Sequence, residues 1–425
     1  MAVTLHDHRS AGPVLPDMEA SNSYGVRLQW GPVYGITRTN SPQYKNSRTS
    51  RTSRMQNNYT ENGYRMLTPM ALEEPALLNA ILAVAAAHLS KWQQVEDTES
   101  HKYLRRALVQ LQEVLGDPES AVKESTLGTI LFLASYEVFN GTNKWKQHFK
   151  AVGGWLKLKS DTTNLSSFLK TWICMIDTQA ALNIGQCSIP EVEEWLNTEA
   201  EQRNNQHAID PLLGCSRKLP KLMLEAGRIY RLSKSENSDQ LEVQCDIRKK
   251  GEALKTKICS AVMDFQSSPT LSVSCGRDGL IATTPSYQTQ PDFIRRICAA
   301  AEIFRYALLV YVYRVVNGYR AILDMETQFA VDEVYRLLPF VPDAIGPGAN
   351  LGWALVVVGS ETDSPELRQY IRCRWHGLKI LELNNNESGE ILTEEVWRRR
   401  DSLQYEDHLS WQDVMQDIGS EQILV

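Results

Sequence analysis

Cysteine, histidine and carboxylate patterns are the places in this chain where chemistry could reside. The eight cysteines are Cys174, Cys187, Cys215, Cys245, Cys259, Cys275, Cys298 and Cys373. None lie in near pairs, and no CxxC occurs. Zinc sites bring ligands in close pairs because one turn then presents two sulfurs, so the chain's own thiols do not read as a zinc site. Several stand in apolar helical patterns, where a thiol behaves as a small buried hydrophobe. His6 and His8 form a lone His-x-His pair with no further ligand nearby. His88 and His148 each fall on an apolar helix face, where a histidine acts either as a ligand or pH contact or as a hydrogen-bonded core residue.

No phosphate loop GxxxxGK[ST], no GxSxG elbow and no HExxH is present. Asn384 to Glu390, NNNESGE, is superficially like the second magnesium motif of terpene synthases. It lacks the aspartate and the correctly placed glutamate, and reads as a polar turn between helices. An all-α enzyme would need convergent carboxylates or a perturbed Cys/His pair, and no such spacing is visible. The expectation is a non-enzyme with no cofactor.

The elements that would position these residues are helical. At 425 residues and 43% hydrophobic, the chain can bury a large core. The formal net charge of −6 removes a whole-chain basic footprint for nucleic acid. Locally the balance reverses: no acidic residue lies between Glu19 and Glu61, while six basic ones do. Residues 1–66 are polar and punctuated and are expected to be a disordered linker. Residues 67–425 are expected to form an all-α array of packed helix pairs. Glu73 and Glu74 before Pro75 suit a helix start, and Gly116, Gly141 and Gly318 suit helix ends. Asn143 reads as the N-cap of a helix carrying Trp145, His148, Phe149, Val152 and Leu156 on one face. Gly153 and Gly154 weaken that helix, so another helix is expected to approach closely there. The most apolar long run, Ile297 to Val316, contains Glu302, Arg305 and Arg314 and so reads as a buried helix rather than a membrane span. No period-2 strand is evident.

The stretch EVFNGTNKWKQHFKAVGGWL, Glu137 to Leu156, resembles the regulatory domain of fungal-specific transcription factors, at Glu137, Gly141, Trp145, His148, Ala151 and Gly153. Further pieces follow in that family's order. PALLNAILAVAAAHLS contains His88, GWALVVVGSE contains Trp353 and Gly359, and EEVWRRRD contains Trp397; WQDVMQDIG lies near the end. The resemblance covers residues 55–425 and implies a nuclear regulator of RNA polymerase II genes. It also implies homo- or heterodimers with zinc-cluster transcription factors, contact with the transcription machinery, and in some members a small-molecule effector.

In that family a six-cysteine cluster with two zinc ions reads DNA. Here the first cysteine is Cys174, so zinc is expected only if a cluster lies upstream, and DNA contact is expected to be indirect or weak. Three explanations stay open: truncation, a natural cluster-less paralogue, or action through a cluster-bearing partner. YGVRLQWGPVYGITR, Tyr24 to Arg38, looks like the linker that follows such a cluster. RTSRTSR, Arg48 to Arg54, reads as a solvated linker, an import signal or a phosphorylation site. The acidic tail ending ILV reads as an activation segment or, preferably, as a helix docked on the domain.

Overall fold

A computed structural model describes residues 28–31, 35–38, 63–202, 215, 218–261, 274–275, 281–282, 291–319, 322–341, 346–379, 383–402 and 410–424. The chain is all-α. Eight helices precede residue 203: α1 (Gly63–Glu73), α2 (Pro75–Trp92), α3 (Ser100–Leu115), α4 (Pro118–Ala121), α5 (Glu124–Phe139), α6 (Trp145–Lys159), α7 (Ser167–Ile184) and α8 (Pro190–Gln202). Eight more follow: α9 (Lys218–Ser233), α10 (Leu241–Ser260), α11 (Pro291–Asn317), α12 (Met325–Leu337), α13 (Gly352–Gly359), α14 (Pro365–Lys379), α15 (Asn384–Ser402) and α16 (Trp411–Asp417).

Two adjoining cores result. The first gathers α1 to α3 and α6 to α8 around α5, whose residues from Ser125 to Val138 are all buried. The second gathers α9 to α16 around α13, buried from Gly352 to Gly359. Neither central helix shows a polar stripe, because a helix covered on every side has no face that needs one. Local chemistry sets the ends. Ser166 caps α7, Asp324 caps α12, and Ser410 with Asp413 forms a reciprocal capping box on α16. Close approaches occur at Gly227, Gly251 and Gly389, where a Cβ would collide with Ala181, Val316 and Trp375.

Four expectations need correcting. Two short antiparallel strand pairs exist: β1 (Leu28–Gly31) with β2 (Gly35–Arg38), and β3 (Ser274–Cys275) with β4 (Ile281–Ala282). The first pair sets Leu28 opposite Arg38 and Gly31 opposite Gly35, within the N-terminal segment. The rest of that segment up to residue 62 lies outside the described residues. NNNESGE is no turn but the start of α15, which runs unbroken to Ser402. Asn385 and Asn386 are buried there, and Asn386 Nδ2 donates to the Leu378 carbonyl at 3.2 Å. Asn143 does not cap α6, since Lys144 stands at that position. Nor, among the described residues, does a helix press on Gly153 or Gly154, because nothing lies within 4 Å of a Cβ placed at either.

Candidate functional site at the seam between the two cores

The α5–α6 corner is built by Gly141. Its φ of +67° is open to glycine at little cost. The Thr142 N–H donates to the Glu137 carbonyl and the Gly141 N–H to the Val138 carbonyl, both at 2.9 Å, closing a Schellman turn. The Glu137 carboxylate accepts from the Thr142 hydroxyl, which locks the same turn from its side-chain side. A Cβ on Gly141 would stand 3.2 Å from Asn384 Cβ, so α15 passes directly over the corner.

A second Schellman turn at Gly419 (φ +66°) ends α16 and sends residues 420–424 across this corner as a strap. Asn143 Nδ2 donates to the Gly419 carbonyl at 2.8 Å and Trp145 Nε1 to the Glu421 carbonyl at 3.0 Å. Lys146 pairs with the Glu421 carboxylate. Asn183 Nδ2, from α7, donates to the Gln422 carbonyl at 3.0 Å. Gln422 Nε2 in turn donates to the Gly141 carbonyl at 3.1 Å and to Ser388 Oγ of α15 at 2.8 Å. Asn384 Nδ2 donates to the Asn140 carbonyl at 3.2 Å. The next two side chains diverge, as successive residues of an extended segment do: Ile423 enters the first core and Leu424 the second.

Beside the corner lies a small, partly open recess, lined by Val84, Ala87, His88 and Lys91 of α2, Tyr136, Phe139 and Asn140 around the end of α5, and Leu383. Lys91 Nζ donates to Asn140 Oδ1 at 2.9 Å and to the Phe139 carbonyl at 3.3 Å, a cation at a helix C-terminus where the dipole favours it. His88 meets Trp92 edge-on at 6.1 Å. His148 is pushed toward the neutral form chiefly by burial, with Glu137 opposing and Lys144 adding.

The remaining sequence-identified residues lie apart. Trp353 is fully buried and stacks on Phe304 at 6.3 Å. Trp397 Nε1 donates to the Gly359 carbonyl at 2.8 Å, joining α15 to α13, and the guanidiniums of Arg368 and Arg372 cover its ring at 5.4 and 4.9 Å. So Glu137, Gly141 and Trp145 converge on the strap, with His88 in the recess next to them. Gly153 looks outward, and Trp353, Gly359 and Trp397 belong to the second core. Sequence reasoning missed Asn183, Asn384, Ser388 and Gln422. Their one advance signal was the apolar ILV that closes a polar tail, too apolar to stay in water.

The buried carboxylates are engaged by protein donors. Glu302 takes Arg305 at 2.6 Å, Glu361 takes Arg314 at 2.6 Å, and Asp177 takes Ser188 Oγ at 2.5 Å. Asp177 is pushed up to about 7 by burial, with the Ser188 and Ile189 donors working against the rise. Among the described residues no three His, Cys, Asp or Glu gather as metal ligands, and no helix is long and apolar enough to cross a membrane. The donor set does not suit a binuclear zinc cluster: Cys174, Cys215 and Cys298 are buried within helical packing, and Cys187, Cys245 and Cys373 are exposed singly.

Such a molecule is an all-α scaffold that holds two cores at a fixed seam and presents its helical surfaces. Comparison with family models then assigns it: residues 44–425 match the fungal specific transcription factor domain, and the chain belongs to that family. That makes it a transcription regulator. No curated protein and no solved structure matches it.

Proposed function

We propose that this chain regulates RNA polymerase II genes in the nucleus, acting through its helical domain as a regulatory and dimerisation unit. DNA reading is supplied from outside the residues seen here, by a zinc cluster upstream or on a partner of the same family. The observation that carries the reading is the family match over residues 44–425. The engagement of the buried acids in ion pairs and turn contacts supports a scaffold over a catalyst. Contact with the transcription machinery runs through the outer helical faces.

The test joins the chain to an unrelated DNA-binding domain and measures transcription of an RNA polymerase II reporter carrying the matching site. The expected result is a change in output that depends on the fused helical domain. In parallel, the isolated chain is expected to show no stoichiometric zinc pair and no base-specific mobility shift. Two zinc ions per chain, or sequence-specific binding by the chain alone, would overturn the assignment of DNA reading to another element.

A further inference from the structure

The outward face of α6 has a composition that the fold does not account for. Trp145, Phe149, Val152, Trp155 and Leu156 are buried on the inner face. On the outer face Lys146, Lys150, Gly153 and Lys157 stand at i, i+4, i+7 and i+11, a straight stripe about 16 Å long. Gly154 lies beside it, and Leu158 next in the chain is 58% exposed. Two adjacent glycines in mid-helix cost about 1 kcal/mol each relative to alanine. Among the described residues nothing requires them, since a Cβ at either would meet open space. Lys150 and Lys157 make no ion pair or side-chain hydrogen bond among the described residues, whereas Lys146 already holds a glutamate, Glu421 of the strap.

We infer that this face of α6 is a docking surface for an acidic amphipathic helix of a partner protein. The absence of side chains at Gly153 and Gly154 lets a second helix come to the short end of the interaxial range, about 8 Å. At that distance carboxylates spaced by two turns reach Lys150 and Lys157, as Glu421 reaches Lys146. Leu158 supplies an apolar anchor at the edge of the stripe, which a peptide side chain covers and a phosphate backbone does not. The net charge of −6 also disfavours a polyanion as long as DNA, while a short acidic helix feels mainly the local lysines.

The experiment titrates the full chain with a fluorescently labelled helical peptide that carries glutamates at i and i+7, alanines at i+3 and i+4, and one leucine. Saturable binding that weakens with added salt is expected. Lys150→Glu with Lys157→Glu should weaken it roughly tenfold or more. Gly153→Ala with Gly154→Ala should raise the unfolding temperature of the chain yet weaken the peptide several-fold, a split that a merely structural role for the glycines would not produce. Absence of saturable binding, or binding indifferent to the charge reversal, overturns the inference. So does a short DNA duplex that displaces the peptide through the same lysines, which would make the face a nucleic-acid contact.

Discussion

Replacing Ile423 and Leu424 by alanine, singly and together, probes the strap where its geometry is sharpest. The two side chains are 1% and 2% exposed, and they enter different cores. Burying a side chain of this size contributes about 1.5–3 kcal/mol, and truncating it in a packed interior costs about 2–5 kcal/mol once the cavity is included. The strap's hydrogen bonds use the backbone carbonyls of Gly419, Glu421 and Gln422 and the Gln422 amide, so they survive both substitutions. Each single variant should therefore lose about 2–5 kcal/mol. Because the cavities open in separate cores, the double variant should lose close to the sum. Against a typical total of about 5–15 kcal/mol, that is enough to populate a form with the seam undone. Urea unfolding followed by far-UV circular dichroism and by tryptophan fluorescence reads both quantities. A drop in the denaturant slope of the double variant would report the loss of coupling between cores. Deleting Trp411 to Val425 removes Trp411, Val414 and Met415 as well and should lower the thermal midpoint further. If each single variant costs under about 0.5 kcal/mol, as for a surface position, the strap is not docked and the account of the seam fails.

Other outcomes follow from the same contacts. Gly141→Ala should destabilise by about 1–3 kcal/mol, since its φ is +67° and its Cβ would crowd Asn384; thermal unfolding indistinguishable from the parent chain would contradict this. Arg314→Met leaves Glu361 buried with Arg400 3.7 Å away as its remaining guanidinium, and should cost about 3–5 kcal/mol by chemical denaturation, whereas Arg398→Met, outside on α15, should cost under about 1 kcal/mol. Asp177 has its folded-state pKa raised to about 7 by burial, so its protonated form favours the fold. Its contribution is full below the ordinary carboxylate range and is lost as pH rises through about 7. Stability measured from pH 5 to 8 should therefore fall less steeply with rising pH in Asp177→Asn than in the parent chain, and equal slopes would show that Asp177 is not the group responsible.

Much of the helical frame was legible because its signals are local. Pro75 after two glutamates does begin α2, Gly141 does end α5 in a left-handed conformation, and Gly318 does follow α11. GWALVVVG was noted only as an apolar piece, and its uniform apolarity suits α13, which is covered on all sides. Failures cluster where the partner is distant or missing. Asn143 looks like a cap, yet its amide goes to Gly419, 276 residues away, and no local pattern encodes that. NNNESGE looks like a turn because asparagines favour turns, yet the carbonyls of Asn140 and Leu378 take up the Asn384 and Asn386 amides and leave the backbone free to be helical. Gly153 and Gly154 were read as a close approach of another helix, but among the described residues nothing lies within 4 Å of a Cβ at either. The β1–β2 pair was hidden by its brevity, four residues a side, too few for alternation to stand out.

The two cores meet through joints of different kinds, and the difference bears on how a regulator of this design can respond. At the first joint, α7 lies so close to α9 that a Cβ on Gly227 would be 2.8 Å from Ala181 Cβ and 2.9 Å from its carbonyl oxygen. Tyr311 Oη donates to the Leu182 carbonyl at 2.8 Å there, and Leu182 and Leu224 each pack in the core opposite to that of most of their helix. Backbone in contact with backbone has no rotamer to yield, so this joint resists sliding. The second joint is the strap, held by amide hydrogen bonds of about 1 kcal/mol each, by two apolar side chains and by an ion pair, Lys146 with Glu421, that is about one-third exposed on both partners and so contributes little. Any event that loosens one end of the seam therefore acts on the strap first, while the α7–α9 joint keeps the cores in register. Glu137, Gly141 and Trp145 gather around that weaker joint and shape the turn and the indole on which the strap rests.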